Sequence, residues 1–163
     1  MSADIILAVF DCNILIQATT NSRNPASACF RLVENKVVKL FVSEKTLQEL
    51  EAVLNRPYIK NRFKFTDEVI REFLHKVRNS ATVLKNVPKS FSLPRDVDDE
   101  EYINLAIESE ADYIVTRDND LLDLMTGYDA ESKEFRQRLR PLKIVEPLAF
   151  LKIAEEQTNK IHQ

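Results

Sequence analysis

Short apolar runs rich in valine and isoleucine recur along this chain, each ending near an acid or a hydroxyl and each followed by a segment of helical periodicity. Ile5 to Phe10 ends at Asp11, Val37 to Val42 ends at Ser43, and Tyr113 to Thr116 is followed by Asp118. Continuous apolar runs suit strands buried on both faces, and strands that alternate with helices suit a parallel sheet. With Ala81 to Val87 and Leu142 to Val145 as further strands, the pattern predicts an α/β fold with helices on both faces of the sheet. The C-terminal strand ends of such a sheet line one edge, where ligands bind. Asp11 and Asp118 stand at that edge, and Glu49 and the pair Asp98-Asp99 lie on helical segments between them. Carboxylates gathered at one point repel each other unless a cation sits among them, and hard oxygen ligands suit Mg²⁺ or Mn²⁺. Metal-assisted phosphate chemistry is the candidate activity.

The helices have readable starts. Asn24-Pro25 begins one. Ser43 caps another, with Leu47, Leu50, Val53 and Leu54 on one face, stopped before Pro57. Thr66 caps a third. Asp98-Asp99-Glu100-Glu101 opens a fourth, a short helix spans Asp118 to Leu124, and Pro147 starts the last. At 163 residues the chain fits one domain, placed at residues 1–156, with residues 157–163 as a flexible tail. No apolar run approaches the ~20 residues of a membrane helix, and the N-terminus lacks a signal-peptide pattern. Both point to a cytoplasmic protein without a membrane partner.

The counts exclude several chemistries. Two cysteines, Cys12 and Cys29, make no disulfide framework, and Cys12 reads as a small buried residue or a nucleophile. His75 and His162 lack partners at zinc spacing and give a serine triad little to draw on. A single glycine, Gly127, excludes a glycine-rich phosphate loop. A net charge of −3 counts mildly against a nucleic-acid substrate, although a bound metal reverses the local field.

Each acid also has a plain reading. Asp11, Asp118 and Asp120 suit helix caps, and the acids from Asp98 to Glu101 complement a helix dipole. Glu49 lies too far inside its helix to cap it and reads otherwise as solvated helix face. Of the neighbours Asp98 and Asp99, the periodicity puts Asp99 on the edge of the stripe through Tyr102, Ile103 and Ala106, and leaves Asp98 to cap. Arg56, Lys60, Arg62 and Lys64 interleave with Tyr58, Phe63 and Phe65, a mixture suited to single-stranded RNA or to an ordinary helix hairpin.

Four signals in order carry a family resemblance: Asp11-x-Asn13 after the first strand, Ser43 followed by Glu49, Asp99 with Leu105-Ala106 behind it, and Thr116-x-Asp118. From Ile5 to Leu151 the chain resembles a PIN domain. The stretches Val42 to Pro57, Asp96 to Asp99, Thr116 to Leu122 and Pro147 to Leu151 are similar to the branch of toxin components of toxin–antitoxin systems. The resemblance implies a five-stranded parallel sheet ordered 3-2-1-4-5 and a ribonuclease dependent on Mg²⁺ or Mn²⁺. Asp11, Glu49, Asp99 and Asp118 become the catalytic metal ligands, with Asn13, Thr116, Asp120 and Asp98 in support. The implied partners are RNA, a small antitoxin protein and a second copy of the chain.

Cys12 replaces the threonine common in the family, and the segment Thr126 to Pro141, with Lys133, Arg136, Arg138 and Arg140, is longer than expected. The implied mechanism is hydrolysis of an RNA phosphodiester by metal-activated water. Two rival readings are a non-catalytic RNA- or protein-binding module and a metal-dependent phosphatase of the haloacid-dehalogenase type. The phosphatase needs a second aspartate where this chain has Asn13.

Overall fold

A computed structural model describes residues 5–20 and 23–161. Five strands, β1 (Ile6–Phe10), β2 (Val38–Ser43), β3 (Thr82–Leu84), β4 (Tyr113–Val115) and β5 (Lys143–Val145), form one parallel sheet ordered β3-β2-β1-β4-β5. The expected α/β architecture and strand order are those found. The winding reverses between β1 and β4, so a crevice opens where those strands end.

The helices follow from caps and prolines. In α1 (Cys12–Ala18) the cap is Asp11; in α2 (Pro25–Glu34) it is Asn24, with Pro25 in the first turn. Helix α3 (Glu44–Leu54) begins with a reciprocal capping box between Ser43 and Thr46. Pro57 starts the short helix α4 (Pro57–Phe63), where the sequence suggested only a stop. Thr66 caps α5 (Asp67–Ser80). Helix α6 is Val97–Ser109, followed after β4 by α7 (Asn119–Leu122) and a 3-10 turn at Asp123–Met125. The long segment before β5 contains α8 (Ala130–Arg138). Helix α9 (Pro147–Ile161) extends through part of the segment that composition marked as a tail. No helix among the described residues is long and apolar enough to cross a membrane.

The cap of α6 corrects one expectation. Asp96, not Asp98, accepts the Asp99 amide, at 3.1 Å, and Asp98 stands exposed in the first turn. The reason is local. The segment before α6 is pinned by Asn104, whose Oδ1 accepts from the Ser90 and Phe91 amides, and by Glu100, which accepts from Leu93 N–H at 2.8 Å. Those bonds bring Asp96 to the helix end before Asp98 is reached.

Central strand β1 is buried on both faces, with Ile6, Ala8, Val9 and Phe10 all in the core. Phe10 and Tyr113 meet Phe150 of α9 edge-on, at centroid distances of 5.9 and 5.7 Å. Helix α6 packs against β1, β2 and β4 through Tyr102, Ile103, Leu105 and Ala106. Burying Ile103 and Leu105 alone contributes about 1.5–3 kcal/mol each, so the crevice rests on a well-packed floor.

Candidate metal centre

Thr116 is fully buried and ties the two switch strands together. Its hydroxyl donates to Asp11 Oδ2 and accepts from the Asp118 amide at 2.9 Å. Asp11 is buried too, and its Oδ1 accepts from Ile14 N–H at 3.0 Å as the cap of α1. Asp118 Oδ1 likewise accepts from Asp120 N–H at 2.8 Å. Capping and the functional reading therefore do not compete, because a carboxylate has two oxygens and a cap occupies one.

One crevice of about 190 Å³ is lined by Asp11, Asn13, Glu49, Asp98, Asp99 and Asp118, with Arg56 and Tyr102 among its walls. At one end, single oxygens of Asp96, Asp99, Asp118 and Asp120 all lie within 4.8 Å of one another. Asp11 and Glu49 line the crevice outside that group of four. Of the other residues singled out in the sequence, Lys60 is ion-paired to Asp67, Arg62 donates to the Tyr58 hydroxyl at 3.0 Å, and Lys64 ends α4 in the left-handed conformation. Of that basic set, only Arg56 reaches the crevice.

The electrostatics follow from burial and crowding. Desolvation pushes the Asp11 carboxyl up to about 6, because it outweighs the hydrogen bonds from Thr116 and Ile14; the charge of Asp118 pushes the same way. Asp99 is pushed up further, by desolvation first and then by Asp118 and Asp96. Glu49 is raised by burial and by the fields of Glu101 and Asp98. Asp99 Oδ2 is buried with no hydrogen-bond donor. An ionised carboxylate oxygen in that position costs several kcal/mol unless it is protonated or meets a cation. Four aspartates converging around such an atom fit a hard divalent ion, and oxygen-only ligands suit Mg²⁺ or Mn²⁺.

Three participants escaped the sequence reading. Asp96 was visible as an acid three residues before Asp99, the spacing of a cap. Tyr102 counted as part of an apolar stripe, yet its hydroxyl accepts from Cys12 N–H at 3.1 Å and reaches Glu49 Oε2 at 3.5 Å. Arg95 donates to the Asp120 carbonyl at 2.6 Å and to Asp129 Oδ2 at 2.9 Å, and so ties the acidic cluster to the cap of α8; no local signal marks it. Cys12 is buried, and its thiol is pushed up to about 12 by desolvation and by Glu49 and Asp11, which removes it as a nucleophile.

Comparison with known proteins agrees with this fold. An uncharacterized protein of Methanocaldococcus jannaschii, MJ1680, is 28% identical over 152 residues, which is 93% of each chain. The crystal structure of PAE2754 from Pyrobaculum aerophilum superposes with a TM-score of 0.58 at 16% identity, over 96% of this chain and 99% of that one, a likeness of fold. The family model described as PIN domain matches residues 7–120, the span that runs from β1 through the last acid of the cluster. This chain, with its nuclease-type fold and its acidic crevice at the switch point, belongs to the PIN domain family.

Proposed function

We propose that the protein is a divalent-metal-dependent endoribonuclease that hydrolyses RNA phosphodiester bonds at the crevice between β1 and β4. The observation that carries this reading is the donorless, buried Asp99 Oδ2 among converging carboxylates. Stability alone gives no reason to keep such an atom, and a cation does. A bound Mg²⁺ or Mn²⁺ would supply Lewis acidity toward water and the phosphoryl oxygens.

The chain's own residues have distinct tasks. Asp99 and Asp118, with Asp96 and Asp120, would hold the ion, and Asp11 and Glu49 would complete the acidic wall. Thr116 keeps Asp11 and Asp118 in fixed relation through its two hydrogen bonds. Tyr102 reaches Glu49 Oε2 with its hydroxyl at 3.5 Å and would orient that carboxylate at the crevice wall. Arg56 is the cation placed to meet a substrate phosphate, and Asn13 presents an amide from the first turn of α1. Such supporting groups orient ligands and raise their effectiveness.

The further reading as a toxin, with a small antitoxin protein as partner, rests on the motif stretches alone. A homodimer remains the proposed assembly. The apolar surface available to it is Tyr58 and Val69, since Phe63 and Phe65 stack on each other at 5.3 Å within the α4–α5 hairpin. The test of the central reading is incubation of the purified protein with single-stranded RNA in Mg²⁺, in Mn²⁺ and in EDTA. Internal cleavage with either ion, abolished by EDTA, is the expected result. RNA left intact under all three conditions sinks the assignment.

A further inference from the structure

A second cavity, of about 550 Å³, opens on the same sheet edge as the acidic crevice, over the ends of β2 and β3. Lys45 of α3 and Lys85 and Lys89 of the β3–α6 segment line it. Ser43 and Leu84 are register partners, so Lys45 and Lys85 follow strand ends that lie side by side. We propose that this cavity holds the nucleotide adjoining the scissile linkage of a single-stranded RNA, with its phosphate on the lysines. The proposal rests on the ribonuclease reading and gives the bound strand a direction along the sheet edge.

Helix α6 contributes Asp98 to the crevice and Val97 and Glu101 to the cavity, so the two share its opening turns, whose pitch is ~5.4 Å. Lys45 stands at the divide, paired to Glu101 at 2.5 Å and close enough to Glu49 and Asp98 that both raise its ammonium pKa, after Glu101 itself. A strand that leaves the crevice toward β3 would pass this cavity.

The crevice is acidic and tolerates a phosphate only at its cation. In the adjoining cavity three lysines face two glutamates; Lys45 pairs with Glu101 and Lys89 lies 3.6 Å from Glu100, whose other oxygen accepts from the Leu93 amide, so Lys85 supplies the excess positive charge. Val87, Pro88 and Val97, the last 61% exposed, add an apolar wall that suits the face of a base. A phosphate group beside a flat apolar ring is what a nucleotide presents. The volume lies in the range of small-ligand sites. On α4 the cations are likewise partnered, with Lys60 on Asp67 and Arg62 over the Phe63 ring at 5.4 Å, so what favours the cavity is its concave shape and its place beside the crevice.

The test is the full-length Lys85→Gln/Lys89→Gln variant, assayed on a labelled single-stranded RNA oligonucleotide with Mn²⁺ across a salt series. Each phosphate contact on a single strand contributes ~0.7 to the log–log salt slope, so losing two should reduce the slope of kcat/KM by ~1.4. KM should rise about tenfold, while Mn²⁺ affinity and melting temperature stay at the values of the unaltered protein. An unchanged KM and slope, in a protein whose unaltered form cleaves RNA, overturns the subsite and leaves the nuclease reading standing. A parallel loss of Mn²⁺ affinity also overturns it, because the lysines would then act through the acids. An unaltered protein that neither binds nor cleaves RNA overturns both.

Discussion

Arg136 on α8 donates to the Leu124 and Gly127 carbonyls at 2.8 and 2.7 Å, whereas Asp99 on α6 buries an oxygen without a hydrogen-bond partner among the described residues. Both regions are rich in charge. In the segment between β4 and β5, Arg138 reaches Ser90 and Glu134, Arg140 donates to the Arg136 carbonyl, and Arg95 meets Asp129. Gly127 belongs to the same tight packing, since a Cβ there would stand 2.8 Å from the Asp123 carbonyl oxygen. Arg136, Arg138 and Arg140 of this long segment, to which the sequence assigned no role, are thus fastened mostly to backbone. In the crevice, carboxylates face carboxylates. The arginines of the long segment find partners inside the fold; the crevice carboxylates, on the proposed reading, await a cation.

The contrast is broken most severely at the crevice. Asp99→Asn or Asp118→Asn should reduce RNA cleavage on the order of a thousandfold, since losing a metal ligand removes several kcal/mol of transition-state stabilisation. Measured cleavage rates within tenfold of the unaltered protein would detach these residues from the chemistry.

A titration sharpens the same point. Asp11 has a folded pKa of about 6 against 3.8 unfolded. Its folded form therefore binds the proton more tightly, and the resulting stability is present below 3.8 and lost as pH rises through about 6. Asparagine still caps α1 but does not ionise. Asp11→Asn should therefore be more stable than the metal-free unaltered protein at neutral pH, by up to about 3 kcal/mol, with the gain vanishing toward pH 4. Denaturant melts at several pH values check this, and a pH-independent difference would show that burial does not govern Asp11.

On the other side of the comparison, Arg136→Ala should cost about 2–3 kcal/mol, because it strands two part-buried carbonyls. Thermal unfolding reads this directly, and a neutral result would mean that these bonds exchange freely with water. The smallest effect belongs to Asp98→Asn. Asp98 is exposed, and Asp96 holds the cap. We expect a stability change within about 0.5 kcal/mol, less than the sequence suggested when Asp98 was the capping candidate. A loss of a full cap in chemical denaturation would return that role to it.

Much of this was legible because strands and caps have local signatures. The five apolar runs, Asn24-Pro25, Ser43 and Thr66 all announce themselves within a few residues, and parallel topology follows from alternation. What escaped depends on neighbours remote in sequence. Tyr102 is polar in use only because Cys12 N–H and Glu49 reach its hydroxyl. Arg95 matters because α7 and α8 fold back on it. The choice between Asp96 and Asp98 as cap was settled by the bonds that Asn104 and Glu100 make to the preceding loop. Helix α4 was hidden by Pro57, which reads equally as the end of one helix and the start of the next.

The central claim is that the crevice keeps unpaired carboxylates for a divalent cation, and a melting series with and without Mn²⁺ on the unaltered protein and on Asp99→Asn tests it most directly. The unaltered protein should gain melting temperature as Mn²⁺ is added at neutral pH. Asp99→Asn should match or exceed the unaltered protein when metal is absent and gain little when it is present. An Asp99→Asn variant that melts lower without metal, yet still gains fully from Mn²⁺, would mean that Asp99 is a structural residue and that the cation binds elsewhere.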